Sequence, residues 1–260
     1  MKIAISGAGG RMGQAVARLA AGAGAKIVGA IESRKAPNVG RDVGEVAGIG
    51  NVGVEIGADP SAGLLGADVV IDFSTAAALP MLVQLAMRAR VAVVSGTTGL
   101  DTTCERVLDE AARVVPVLSS PNMSLGVQVL AKLAAQAVKQ LGAGYDIEIV
   151  ETHHRAKVDA PSGTAKRLLE AVQGARAHFA AIHGREGNVG PRRDDEIAVL
   201  ALRGGDVIGD HTVHLLGPGE RIELTHRATN RDLFARGALA AARFLIGKPP
   251  GRYTMNDVVG

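Results

Sequence analysis

The chain has no tryptophan, and aromatic residues are only 2% of its 260 positions. Without such rings there is no stacking platform for single-stranded nucleic acid. No run of lysine and arginine forms a basic arm either, so the sequence pI of 9.2 does not point to nucleic acid. One cysteine, Cys104, excludes an internal disulfide framework and a cysteine-rich metal centre. It falls in an expected helix, Leu100 to Arg113, with no histidine near it, and reads as an inert thiol. No apolar run is long enough to span a bilayer, and the strand-like start at Lys2 is unlike a signal peptide. The expectation is a cytoplasmic protein with no membrane partner. Low-complexity segments and internal repeats are absent.

What is present is apolar mass and glycine. Hydrophobic residues make up 47%, enough for a real core in one large or two smaller domains. Glycine stands at 34 positions, many between apolar runs where tight βα turns belong. A formal net charge of +3 is better matched to small anionic ligands than to a polymer.

Lys2-Ile-Ala-Ile-Ser6 reads as a strand, Gly7-Ala-Gly-Gly-Arg-Met-Gly13 as a glycine turn, and Gln14 to Ala21 as a helix. Lys26 to Ile31 is the next strand and ends at Glu32. Strand, glycine turn, helix and acid-ended strand are the parts of a dinucleotide site. The spacing is G-x-x-G-x-x-G at Gly7, Gly10 and Gly13, with Met12 where the usual fingerprint has its third glycine. A plain turn with close helix packing is the alternative that glycine alone allows.

Ser33 to Gly50 reads as a polar loop and Val52 to Ile56 as a strand. Further strands are expected at Ala67–Phe73, Val91–Ser95 and Val114–Leu118, with helices at Ala76–Arg88 and Leu100–Arg113. Pro116 inside the last strand argues for a place near a sheet edge. This alternation implies a parallel, doubly wound sheet whose ligands bind beyond the carboxyl ends of its strands. Gly7–Gly13, Glu32, Gly96–Thr98 and Ser120–Met123 should then line one crevice. Ser124 to Leu141 reads as a long helix leading into a second region. There Glu196–Arg203, His211–Leu216 and Arg221–Ala228 follow one another without helices, as in an antiparallel or mixed α+β sheet. Arg231 to Ile246 is helical again. The expected domains are 1–123, joined by about 232–260, and 124–231.

Glu151 to Thr164 reads Glu-Thr-His-His-Arg-Ala-Lys-Val-Asp-Ala-Pro-Ser-Gly-Thr and holds the densest set of proton-moving and anion-holding groups in the chain. Tyr145 to Val150 alternates like a strand, so the histidines should close a strand and Ser162-Gly163-Thr164 should open a helix. A helix start offers free N–H groups to a carboxylate or phosphate. A charged surface loop is the plain alternative. Against it, His153 and His154 on a strand would point to opposite faces, and a His, an Arg and a Lys this close repel one another unless an anion joins them. His211 and His214, three apart on a strand, make a poor ligand pair, and His178, His183 and His226 stand isolated. No metal site is expected.

Together these segments resemble dihydrodipicolinate reductase, now called 4-hydroxy-tetrahydrodipicolinate reductase, of bacterial lysine and diaminopimelate synthesis. The resemblance covers nearly the whole chain. Its most specific part is the stretch 151–164; Gly7 to Met12, Gly96-Thr-Thr98 and Ser120-Pro-Asn-Met123 match the family's cofactor segments in type and order. It implies an α/β fold: a Rossmann-like domain plus an α+β substrate and oligomerisation domain with a mixed sheet. It implies that Gly7, Ala8, Gly9, Gly10, Arg11 and Met12 cradle the pyrophosphate of NADH or NADPH. Glu32 would hold the adenosine ribose, while Gly96, Thr97, Thr98, Ser120, Pro121, Asn122 and Met123 approach the nicotinamide. His153 would be the proton donor or acceptor, Lys157 a second proton donor, and His154, Gly163 and Thr164 the binders of a small dicarboxylate. A homotetramer is implied too. Where NADPH-using members often carry an arginine after the acid of the second strand, this chain has Ser33, then Arg34 and Lys35, which leaves dual cofactor use as the expectation. A related two-domain dehydrogenase and a non-catalytic dinucleotide sensor are the rival readings. Neither needs the residues of 151–164.

Overall fold

A computed structural model describes residues 1–176 and 179–260. His178 lies outside the described residues. In chain order the elements are β1 (Lys2–Ser6), α1 (Arg11–Ala20), β2 (Lys26–Ile31), α2 (Val43–Ala47), β3 (Ile56–Gly57), α3 (Pro60–Gly63), β4 (Val69–Asp72), α4 (Leu79–Ala89), β5 (Ala92–Ser95), α5 (Thr102–Ala111) and β6 (Pro116–Ser119). They continue as α6 (Leu125–Leu141), β7 (Asp146–His153), α7 (Gly163–Ala175), β8 (Ala180–Ile182), β9 (Glu196–Arg203), β10 (Gly209–Gly217), β11 (Glu220–Ala228), α8 (Asp232–Leu245), β12 (Gly251–Tyr253) and α9 (Met255–Val258). Two compact units result: Met1–Leu125 with Asp232–Gly260, and Gly126–Arg231.

The first unit is a parallel sheet in the order β12-β6-β5-β4-β1-β2-β3. Its central strands are buried along their length, as continuous apolar runs of a parallel sheet should be. Successive β1 side chains serve opposite faces. Ile3 and Ile5 pack with Val16 of α1 and Ala238 of α8, while Ala4 packs with Val83 of α4 and Leu108 of α5. Helices on both faces make the unit doubly wound and Rossmann-like.

Two local expectations are corrected by chain chemistry. The strand expected at Val52–Ile56 shrinks to Ile56–Gly57, because the Asp42 carboxylate takes the N–H groups of Val52 and Val54 at 3.1 and 2.9 Å. The same carboxylate caps α2 through Gly44 and Glu45, so the polar loop hides a helical turn. Pro116 does not interrupt β6 but opens it, where the missing N–H costs no interior ladder bond, and β6 lies one strand in from the edge, against β12.

The second unit is a mixed five-stranded sheet in the order β11-β10-β7-β9-β8. β7 runs parallel to β9 and antiparallel to β10. Leu130 and Ala134 of α6 and Leu168 and Val172 of α7 cover one face, against Ile147, Ile149, Val199 and Val213. β8 was not foreseen: three residues too short and too exposed to show a pattern. Among the described residues no helix is long and apolar enough to cross a membrane.

Candidate functional site

In the first unit the expected segments meet at the carboxyl ends of the strands. Gly7 leaves β1 with φ +74, and a Cβ there would lie 2.5 Å from the Phe73 carbonyl oxygen. Gly13 lets α1 close onto the turn: a Cβ on it would fall 2.2 Å from the Gly7 carbonyl oxygen. Gly13 therefore does the helix-packing work of a third fingerprint glycine, one place later than usual. The Glu32 carboxylate, just past β2, accepts hydrogen bonds from Gly9 N (3.0 Å) and Ser33 N (2.8 Å). A cavity of about 370 Å³ opens here, lined by Gly7, Gly10, Glu32, Arg34, Phe73 and Thr75 among others. Arg11 is exposed and Met12 half-buried at the start of α1. A glycine cradle, an acid on the second strand and a cavity between them are the parts a dinucleotide requires.

The neighbouring loops are tied together by Asp72, which sequence reasoning passed over. This buried carboxylate at the end of β4 accepts from the hydroxyls of Ser74 (2.6 Å), Ser95 (3.0 Å) and Thr97 (2.7 Å). It fixes Gly96–Thr98 against the Phe73–Ser74 turn. Ser120 N donates to Ser95 O at 3.0 Å, and its hydroxyl donates to Asn122 O at 2.8 Å, so Ser120–Met123 joins the same strand ends. Cys104 is buried in α5 with Sγ 3.3 Å from Ala76 O, and burial pushes its thiol pKa up.

In the second unit β7 ends at His153, so the strand alternation stops before His154, which is half-buried in the following turn. His153 is buried and donates or accepts through Nδ1 to Glu151 Oε2 at 2.5 Å. Glu151, two residues earlier on the same strand face, is fully buried. Arg203 at the end of β9 grips it with both terminal nitrogens, each at 2.9 Å, and Ser162 N adds a bond of 3.0 Å. Burial alone would raise the Glu151 pKa, but Arg203, His153 and Ser162 outweigh it and hold the carboxyl below its ordinary value. Burial lowers the His153 pKa; Glu151 opposes this, Lys157 and Arg203 add to it, and the net direction is down. The imidazole is therefore neutral at rest near pH 7.

Lys157 Nζ lies 2.6 Å from Asp159 Oδ1 in the loop beyond. Ser162 caps α7 by accepting from Ala165 N at 3.2 Å, which puts Gly163 and Thr164 in the first turn of that helix. His211, expected only as a poor ligand partner for His214, joins this cluster. It is buried on β10, its ring meets that of His153 edge to face with centroids 5.1 Å apart, and Nε2 sits 3.2 Å from Ser162 Oγ. His226 is its cross-strand neighbour on β11. Glu151 and Ser162 lay within the expected stretch, Glu151 without a role and Ser162 only as part of the helix start, while Arg203 and His211 were missed. The i, i+2 spacing of Glu151 and His153 on a strand was a usable signal, whereas Arg203 and His211 arrive by sheet pairing alone. No group of three metal-ligating side chains occurs among the described residues.

The chain is similar to known proteins along its whole length. Residues 1–123 match the family described as dihydrodipicolinate reductase, N-terminus, and residues 126–259 match its C-terminus. The 4-hydroxy-tetrahydrodipicolinate reductase of Anaeromyxobacter dehalogenans is 49% identical, over 100% of this chain and 97% of its own. That of Methanopyrus kandleri is 51% identical over 99% and 96%. Among solved structures, a dipicolinate-bound dihydrodipicolinate reductase from Paenisporosarcina sp. TG-14 superposes with a TM-score of 0.78 at 21% identity, covering 100% of this chain and 99% of that one. The chain belongs to the dihydrodipicolinate reductase family.

Proposed function

We propose that the protein reduces 4-hydroxy-tetrahydrodipicolinate to tetrahydrodipicolinate in lysine and diaminopimelate synthesis, using NADH or NADPH. The observation that carries this reading is a buried histidine bonded to a buried carboxylate beside a helix start, in a chain about half identical along its whole length to reductases of that name. Gly7, Ala8, Gly9, Gly10, Arg11 and Met12 hold the pyrophosphate, and Glu32 the adenosine ribose. Gly96, Thr97, Thr98, Ser120, Pro121, Asn122 and Met123 form the nicotinamide side. The glycine cradle and the cavity beside Glu32 fit that cofactor. When bound, the nicotinamide supplies the hydride.

The substrate is a cyclic imine with two carboxylates. Loss of water from its ring gives an α,β-unsaturated imine, which accepts hydride at the conjugated ring carbon. The electron-rich nitrogen–carbon system left behind needs one proton, and His153 delivers it. Its resting pKa is lowered, but two arriving carboxylates favour the imidazolium and raise it. Lys157 stabilises the developing negative charge and, as the second donor, is the alternative source of that same proton. His154, Gly163 and Thr164 bind the substrate, one carboxylate lying against the free N–H groups of α7.

The working assembly is a cytoplasmic homotetramer joined through the second unit's sheet. In support, the face of that sheet opposite α6 and α7 carries Val150, Leu202 and Leu216, the last two exposed. The test is a coupled assay in which pyruvate and aspartate semialdehyde form the imine through its synthase. Protein-dependent loss of reduced nicotinamide is expected with both cofactors. A folded protein that binds them without consuming either would overturn the reading in favour of a sensor.

A further inference from the structure

We propose that Glu151 is the positioning residue of His153: it fixes the imidazole in the tautomer that leaves Nε2 as the nitrogen exchanging protons with substrate. The inference rests on the reductase reading above and goes beyond it. Four groups converge on the Glu151 carboxylate: three N–H donors, two from Arg203 and one from Ser162, and the His153 Nδ1 at 2.5 Å. A carboxylate offers about four lone-pair sites, so the group is fully used and has no freedom to rotate. Its pKa is held down, so it is an acceptor only. The hydrogen between it and His153 therefore belongs to Nδ1, as in other carboxylate–imidazole pairs.

Nε2 is left with room rather than with a partner of this kind. Gly209, at the start of β10, faces it: a Cβ built on Gly209 would lie 2.9 Å from Nε2. His211, two residues along the same strand face as Gly209, meets the ring edge to face and limits its tilt. The simpler explanation, an ion pair of Glu151 and Arg203 stapling β7 to β9, accounts for two of the four contacts. It gives no reason for the bond to His153 and predicts no effect on proton transfer.

The tautomer is read directly by nitrogen NMR on histidine-labelled wild-type protein, with His153 assigned by the signal that disappears in His153→Gln. The expected pattern is a protonated Nδ1 and a bare Nε2; the opposite pattern overturns the proposal. Glu151→Gln, in which the acceptor becomes an amide, should lower kcat by about 10²–10⁴-fold, the upper end being what asparagine for the triad aspartate does in serine proteases. The KM for reduced nicotinamide should stay within about twofold, and the kcat–pH limb should move to lower pH, since the carboxylate favours imidazolium. A folded Glu151→Gln variant with unchanged kcat and an unmoved limb overturns the proposal. Should the half-buried Arg203, left without its carboxylate, prevent folding, the double variant Glu151→Gln, Arg203→Met is read in the same way. Absence of turnover in the wild type would sink the reductase reading itself, while the tautomer would still decide what Glu151 does to His153.

Discussion

The rings of His153 and His211 meet edge to face, 5.1 Å between centroids, inside the second unit. In the proposed reaction His153 moves the proton; His211 is buried, and among the described residues it makes no ion pair. Their titrations have different consequences.

His211 should make the fold acid-sensitive. Burial lowers its pKa from 6.5 to about 4, with the nearby His153 adding to the effect. The sign follows from linkage: below 6.5 the unfolded chain takes up a proton that the folded chain refuses. Stability is whole above pH 6.5 and drains away until about pH 4. A shift of this size corresponds to at most about 3 kcal/mol. Urea midpoints measured from pH 7 to pH 4 should fall more steeply in the wild type than in His211→Asn; parallel slopes would refute it.

His153 should report the substrate's charge. The free protein holds its pKa below the ordinary histidine value, chiefly through burial. Two substrate carboxylates raise it. Activity needs the imidazolium, so kcat/KM should fall at a lower pH than kcat does. Coincident limbs in the two profiles would mean that substrate does not charge this group.

Cofactor choice should turn on Glu32. Its carboxylate is pinned by Gly9 and Ser33 N–H groups and faces the cavity that Arg34 also lines. A ribose 2′-hydroxyl donates to such a group, whereas a 2′-phosphate is repelled by it. Glu32→Gln should raise the KM for NADH about tenfold, the loss of one charge-assisted hydrogen bond, and leave that for NADPH equal or lower. A ratio of the two KM values unchanged from wild type would remove Glu32 from cofactor selection.

Much of this fold was legible because its signals are local. Apolar runs separated by glycine turns gave the parallel sheet, and Ser162 before Gly163 gave the α7 start. Long-range polar contacts were not legible. The Asp42 carboxylate dissolved an expected strand ten residues away, and nothing in the local pattern at Val52 announces that. In the site, His153 and Lys157 stand out by residue type within one stretch. Arg203 sits 52 residues from Glu151 and reaches it only because β7 pairs with β9 in one register. His211 looked like an ordinary strand histidine until β10 paired with β7.

The central claim is that His153 delivers the proton, and turnover of His153→Gln against reduced-nicotinamide affinity tests it most directly. Run in the coupled assay beside the wild type, the variant should lose about 10²–10⁴-fold in kcat. Its dissociation constants for NADH and NADPH should stay within about twofold, because the residues proposed to hold the cofactor lie in the first unit and His153 in the second. A folded variant that turns over at the wild-type rate would contradict the account.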